Sequence, residues 1–344
     1  MSVLVAIVLV TFVPCSAAPL DLQDNRLSAG YRARLLDAGQ LLVGFCHSTN
    51  VDPRDVLSRA EVANPTLVAF VQFLHDTRKP LWLATHAVLC VQTANRMMKG
   101  SLRPAWDSIA SWRLTVPVKS WVPMDVNIMK ALFYSALTQA FWYEPSRKRI
   151  WLGFAICLRA GFFALLRPKE WFSLQRKFVK TPFGSGTLLS GARVAVITVL
   201  DAKNRAFLGR LQVRIIRDPG TISWLSWYVS SMPPCDFLWP FSQQTFCACL
   251  KTALQFFDLC HLNLSPASLR AGGATWMLEQ GIPVQTIKFS GCWASDKALA
   301  CYLQEAESAS TLLSLSHKQQ HRLEIAIGEL SFLECPPAQS FCST

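Results

Sequence analysis

The chain has 344 residues, 51% of them apolar and only 16% charged, which excludes a disordered polar chain and suits a length of about two domains. Thirty-four Lys and Arg against 22 Asp and Glu leave a formal charge of +12, an excess that favours a polyanionic partner, nucleic acid or an anionic membrane surface. The 12 cysteines form no CxxC pair, and Cys247 and Cys249 lack a usual zinc spacing, so they read as reduced thiols of an intracellular protein rather than as metal ligands.

Residues 1–25 open on an apolar run, Val3 to Val13, followed by Pro14-Cys15-Ser16-Ala17-Ala18. The run has the core and small-residue site of a secretory signal, but no Lys or Arg precedes it and it is too short to span a bilayer. A signal, a buried helix and a misplaced start codon stay open for it. No later stretch is a membrane candidate: the most apolar, Ile150 to Leu166, is interrupted by Arg159.

Residues 26–112 read as helices. Tyr31, Leu35, Leu36, Leu41, Leu42 and Phe45 follow Ser28 at near-helical spacing, and Leu67, Val71 and Leu74 repeat it. A third helix is expected from Leu83 through Met97 to Gly100, and Trp106, Ile109 and Trp112 suggest a fourth. Arg32, Arg34, Lys79, Arg96, Lys99 and Arg103 would give this domain a basic face. Residues 113–123, with Pro117, Pro123, Arg113 and Lys119, suit a linker along something negative, or an ordinary loop.

Residues 124–315 read as a second domain, mostly helical with one small sheet, and 316–344 as a tail with a possible helix at Arg322–Leu330. Helices are expected over Asp125–Phe141, Arg149–Leu166, Thr221–Met232 and Ser242–Asp258. Val194–Leu200 is a strand candidate, and Arg210-Leu-Gln-Val-Arg-Ile alternates polar and apolar, the period of a half-buried strand. Asp201-Ala-Lys203-Asn-Arg205 would be the turn between them. The fold class expected is mainly α with a small β-sheet.

The last third carries the most information. Ser265 is a good N-cap and Pro266 suits the first helical position, which puts Arg270 on the first turns of a helix. Gly272 and Gly273 weaken that helix by roughly 1 kcal/mol each, tolerable where something must approach its backbone. Val284–Phe289, then Gly291-Cys292-Trp293, lead to a helix capped by Ser295 that carries Tyr302.

Ser268-Leu269-Arg270-Ala-Gly-Gly-Ala-Thr, then Gly291-Cys292-Trp293, then Tyr302 nine positions after the tryptophan, resembles the C-terminal half of the tyrosine recombinases, the phage-integrase-like family, in the variety found in eukaryotic mobile elements. The resemblance implies an earlier arginine after an apolar helix, three positions before an acidic residue; Leu166-Arg167-Pro168-Lys169-Glu170 fits. It implies a lysine on a β-hairpin; Lys203 fits, with Lys169, Lys177 and Lys180 as alternatives. It also implies a helical core-binding domain that clamps DNA, joined to a mixed α/β catalytic domain.

The reaction so implied is DNA recombination and integration on double-stranded DNA, in a self-associated complex, in the nucleus or elsewhere inside the cell. Tyr302 would be the nucleophile, Arg167 and Arg270 would stabilise phosphate charge, Lys203 would act as general acid, and Trp293 would fill the His/Trp position and hydrogen-bond through its indole. Two always-charged guanidiniums bind phosphate oxygens without a metal, and a protein–DNA link conserves bond energy, so no metal, nucleotide cofactor, small-molecule substrate or membrane is implied. Ala267 departs from the pattern, which usually has His or Lys three residues before the second arginine; His261, beyond Pro266, cannot simply substitute. A catalytically impaired, DNA-binding remnant is therefore the alternative.

Overall fold

The computed structural model describes residues 27–116, 121–142, 145–182, 193–200, 202, 211–333 and 336. Residues 1–25 and Lys203 lie outside the described residues. The chain divides into two compact units, Met1–Lys119 and Ser120–Thr344.

The first unit is all helical over its described residues. Its elements are α1 (Ala29–Ser48), α2 (Pro53–Ser58), α3 (Ala60–Asp76), α4 (Leu81–Ala94) and α5 (Arg103–Thr115). Ser28 caps α1 by accepting from the Tyr31 amide, and Leu35, Ala38, Leu42 and Cys46 form its inner stripe. Ala38, Leu42 and Cys46 meet Leu67, Phe70, Val88 and Val91, while Leu35 packs with Cys90, burial that stabilises by about 1.5–3 kcal/mol per large side chain. The third expected helix stops sooner than Gly100: α4 ends at Ala94, a 3₁₀ turn spans Arg96–Met98, and Met97 is exposed. Asn95 stops the helix, its side chain accepting from Met97 N and donating to Leu57 O. Helix α5 runs to Thr115, so the expected hinge begins inside a helix. Arg34, Lys79, Arg96, Lys99 and Arg103 are exposed and Arg32 is half-buried.

The second unit is helical with a three-stranded antiparallel sheet. It contains α6 (Val126–Trp142), α7 (Pro145–Phe163), α8 (Pro168–Phe172), β1 (Val179–Lys180), β2 (Ala195–Val199), β3 (Gln212–Ile216), α9 (Pro219–Ser230), α10 (Gln243–Phe256), α11 (Pro266–Glu279), α12 (Val284–Gly291), α13 (Asp296–Ala300), α14 (Glu305–Leu313) and α15 (His317–Leu330). Strand order is β1-β2-β3, with Ile197 opposite both Val179 and Arg214.

Four details differ from expectation. First, α7 ends at Phe163, because Leu165 takes a left-handed conformation (φ 52°) and turns the chain. Second, β3 is half-buried with its polar side inward: Gln212 and Arg214 are buried while Val213 and Ile215 are exposed. Third, Tyr302 lies in the turn after α13, whose last residue is Ala300. Fourth, residues 317–333 are no tail. Leu323, Ala326 and Leu330 of α15 join the central core, the Gln319 amide donates to Asp258 O, and the Trp224 indole donates to Leu333 O at 2.9 Å.

Arg159 interrupts an apolar helix at no loose end. Its guanidinium meets Asp218 at 2.6 Å and Thr221 Oγ1 at 2.9 Å, and its carbon lies 4.8 Å from the centre of the Phe133 ring. Among the described residues no helix is long and apolar enough to cross a membrane.

Candidate functional site

Helix α11 passes through the middle of the second unit. Pro266 and Ser268–Thr275 are buried, and Ser265 and Ser268 close a reciprocal cap at its start. The two glycines do admit a close approach, and what approaches is the chain's own backbone. A Cβ on Gly272 would collide with the Met124 carbonyl, and one on Gly273 with the Phe162 carbonyl at the end of α7. Met124 N donates to Ser268 O at 3.0 Å and anchors the same crossing. This packing drives Arg270 into the interior, 1% exposed.

Arg270 donates from Nη1 to the Leu165 carbonyl and from Nη2 to the Gly291 carbonyl at 2.8 Å. Its carbon sits 4.0 Å from the centre of the Trp293 ring and 5.5 Å from that of Tyr302, within cation–π range of both. Burial pushes this guanidinium down to about 9; neighbouring Arg167 and Arg214 press the same way, while Glu170 and Tyr302 oppose them. It remains a cation at neutral pH.

Both carbonyls that receive Arg270 lie at left-handed turns. Leu165 is one such residue, and Gly291 precedes another, Cys292 (φ 50°). Left-handed backbone is costly for a residue with a side chain and persists only where packing enforces it. At the second turn Trp293 N returns to Lys288 O, folding the indole over Gly291, where a Cβ would collide with the ring. The Trp293 and Tyr302 rings are tilted with centroids 5.2 Å apart. Thr275 Oγ1, on α11, donates to Tyr302 O at 3.0 Å and receives Gln304 N, which fixes the turn that holds the tyrosine. Trp293 was expected to use its indole N–H; Nε1 is buried and finds no acceptor among the described residues.

Arg167 comes from the junction between α7 and α8. Pro168 bars it from helical backbone (φ −73°, ψ 150°), which makes it the cap residue of α8. Glu170 Oε1 takes Arg167 Nη1 at 2.6 Å, and Oε2 takes the Arg167 amide at 2.9 Å. The Arg167 side chain is 19% exposed, that of Glu170 only 4%.

The structure therefore gathers Arg167, Arg270, Trp293 and Tyr302. It places Ala267 half-buried on the first turn of α11 and His261 exposed; Lys169, Lys177 and Lys180 are exposed. Sequence reasoning missed Arg214, the inward arginine of β3. Its Nη2 lies 3.9 Å from Glu170 Oε2 and 3.2 Å from Gln212 Oε1, and its Nη1 meets the Cys292 sulfur. The strand's alternation announces a buried face without naming which, and an arginine is rarely assigned to it. Three guanidiniums around one carboxylate leave a net positive cluster. The described residues bring together no group of three or more His, Cys, Asp or Glu fit to hold a metal ion. No protein-family model matches the chain, and no curated protein matches it.

Proposed function

We propose that the chain is a tyrosine-recombinase-type DNA strand-exchange protein with Tyr302 as nucleophile. The supporting observation is the meeting of Arg167, Arg270, Trp293 and Tyr302 in one cluster that carries excess positive charge. In this reading the Tyr302 oxygen attacks a backbone phosphorus, the bond to the 5′-oxygen breaks, and a 3′-phosphotyrosine forms. Tyr302 gives its proton to solvent water, and the leaving 5′-oxygen gains one from Lys203. A tyrosine with a pKa near ~10 needs such cationic surroundings to attack at neutral pH. The first unit would then be the core-binding clamp and the second the catalytic domain, acting as a multimer on double-stranded DNA.

Ala267 favours a second reading, a DNA-binding remnant whose chemistry is impaired. Loss of one acid–base group costs about 10²–10⁴-fold in rate. The test is covalent trapping on nicked duplexes that lose the 5′-hydroxyl after cleavage. An adduct on a denaturing gel that vanishes in Tyr302→Phe supports the first reading. An adduct that appears only in Ala267→His supports the remnant. DNA binding with no adduct from either protein overturns the strand-exchange chemistry.

A further inference from the structure

The arginine of β3 has no place in the pattern that picked out the other site residues, yet it is as deeply buried as Arg270, at 1% exposure. It stands on the inward face of the sheet, directly opposite Ile197, where an aliphatic side chain would ordinarily complete the core. A buried cation persists only where partners or function compensate it. The partners here are incomplete. Glu170 Oε2 is 3.9 Å away and already accepts the Arg167 amide, while Oε1 is committed to Arg167 Nη1. The guanidinium also meets the Gln212 side-chain oxygen and the Cys292 sulfur. One carboxylate is thus divided between two guanidiniums, with a third, Arg270, close by.

A second observation points to a missing acceptor. Arg214 Nε, Arg270 Nε and Trp293 Nε1 are all buried N–H donors with no partner among the described residues. Buried donors are nearly always paired, because an unpaired one forfeits its hydrogen bonds to water without replacement. All three belong to residues of this one cluster, and none of them is a carboxylate or carbonyl that would repel an anion.

We infer that Arg214 is a third guanidinium of this site, a positioning residue that shares Glu170 with Arg167 and so keeps the Arg167 charge available to a phosphate group. This deepens the strand-exchange reading and rests on it for the identity of the phosphate as DNA backbone. Without Arg214, Glu170 would neutralise Arg167 alone. With it, the cluster holds two positive charges beyond the carboxylate, in a chain whose usual basic group near Arg270 is replaced by Ala267.

The test measures binding of inorganic phosphate to the full-length protein at constant ionic strength, by calorimetry, with unfolding midpoints in parallel. The charge count sets an order. Glu170→Gln should bind phosphate several-fold more tightly than wild type. Arg214→Met should bind it about tenfold more weakly, because Glu170 then neutralises Arg167 alone. The double variant Glu170→Gln/Arg214→Met should return near wild type, and it leaves no half-paired buried carboxylate, so it remains informative if Arg214→Met fails to fold. Arg214→Lys, which keeps the charge, should stay within a few-fold of wild type. A purely structural Arg214 would lower unfolding midpoints while phosphate affinity stayed level across the series, and that result overturns the inference, as does a wild type that binds no phosphate. The trapping assay separates the two ideas. Adducts with level phosphate affinities sink the Arg214 role alone. The predicted order without adducts in wild type or Ala267→His sinks the strand-exchange chemistry alone.

Discussion

Arg270 stacks over Trp293 at 4.0 Å and hydrogen-bonds the carbonyl of Gly291, two residues before that ring. The charged group and the turn that carries the indole are thereby one assembly. A substitution in either disturbs both, so stability and chemistry must be measured side by side.

Arg270→Ala should cost about 2–5 kcal/mol of stability, since it leaves the Leu165 and Gly291 carbonyls unpaired and opens a cavity under Trp293. Urea unfolding monitored by circular dichroism measures it. A cost under about 1 kcal/mol would mean that water or another side chain satisfies both carbonyls. Loss of DNA chemistry in this variant bears on catalysis only where the protein is shown to remain folded.

Gly291→Ala should destabilise by about 1–3 kcal/mol, because the new methyl group falls on the Trp293 ring and the ring has to move. The same variant should lose adduct formation, since a displaced indole also shifts Tyr302. An unchanged unfolding midpoint would show that the turn relaxes without cost.

Asp125 caps α6 by accepting from Asn127 N at 2.7 Å, and burial raises its carboxyl above the usual range despite the hydrogen bonds it accepts. A carboxyl raised in the folded state costs nothing below its unfolded pKa of ~3.9 and becomes a burden as pH climbs through the folded value. Asp125→Asn keeps the cap and removes the charge. Its stability relative to wild type should improve from pH 4 to pH 7; a decline over that range would mean that the helix end needs the charge.

DNA affinity should fall steeply with salt if the +12 chain binds through phosphates, by about a hundredfold or more between ~50 and ~200 mM. Filter binding or fluorescence anisotropy reads the slope. A flat response would remove the electrostatic basis of the DNA reading.

The helices were legible where caps and spacing agree. Ser28, Ser242 and Ser265 each stand as the cap residue of a helix expected at that place, the first from its apolar spacing and the last from Ser265 and Pro266 themselves. The candidate site was legible as an order of residues, Arg167, Arg270, Trp293 and Tyr302. The ends of elements were less so. Leu165 ends α7 because its carbonyl is committed to Arg270, 105 residues away, and no local signal carries that. Likewise α15 reads as a weak tail helix until Leu323 and Leu330 find the core.

What the amino-acid sequence determines by itself is local: a mainly helical chain with one small sheet, an excess of positive charge, the caps, and two glycines that demand a close approach. What only the tertiary structure decides is which groups share a neighbourhood. It turns the polar side of β3 inward, divides Glu170 between Arg167 and Arg214, and spends the Gly272–Gly273 clearance on the backbone of Met124 and Phe162. The reason is physical. A period of two states that a strand has two faces, but the choice between them belongs to the long-range partners, and here the partner of an inward arginine is a carboxylate on a different element.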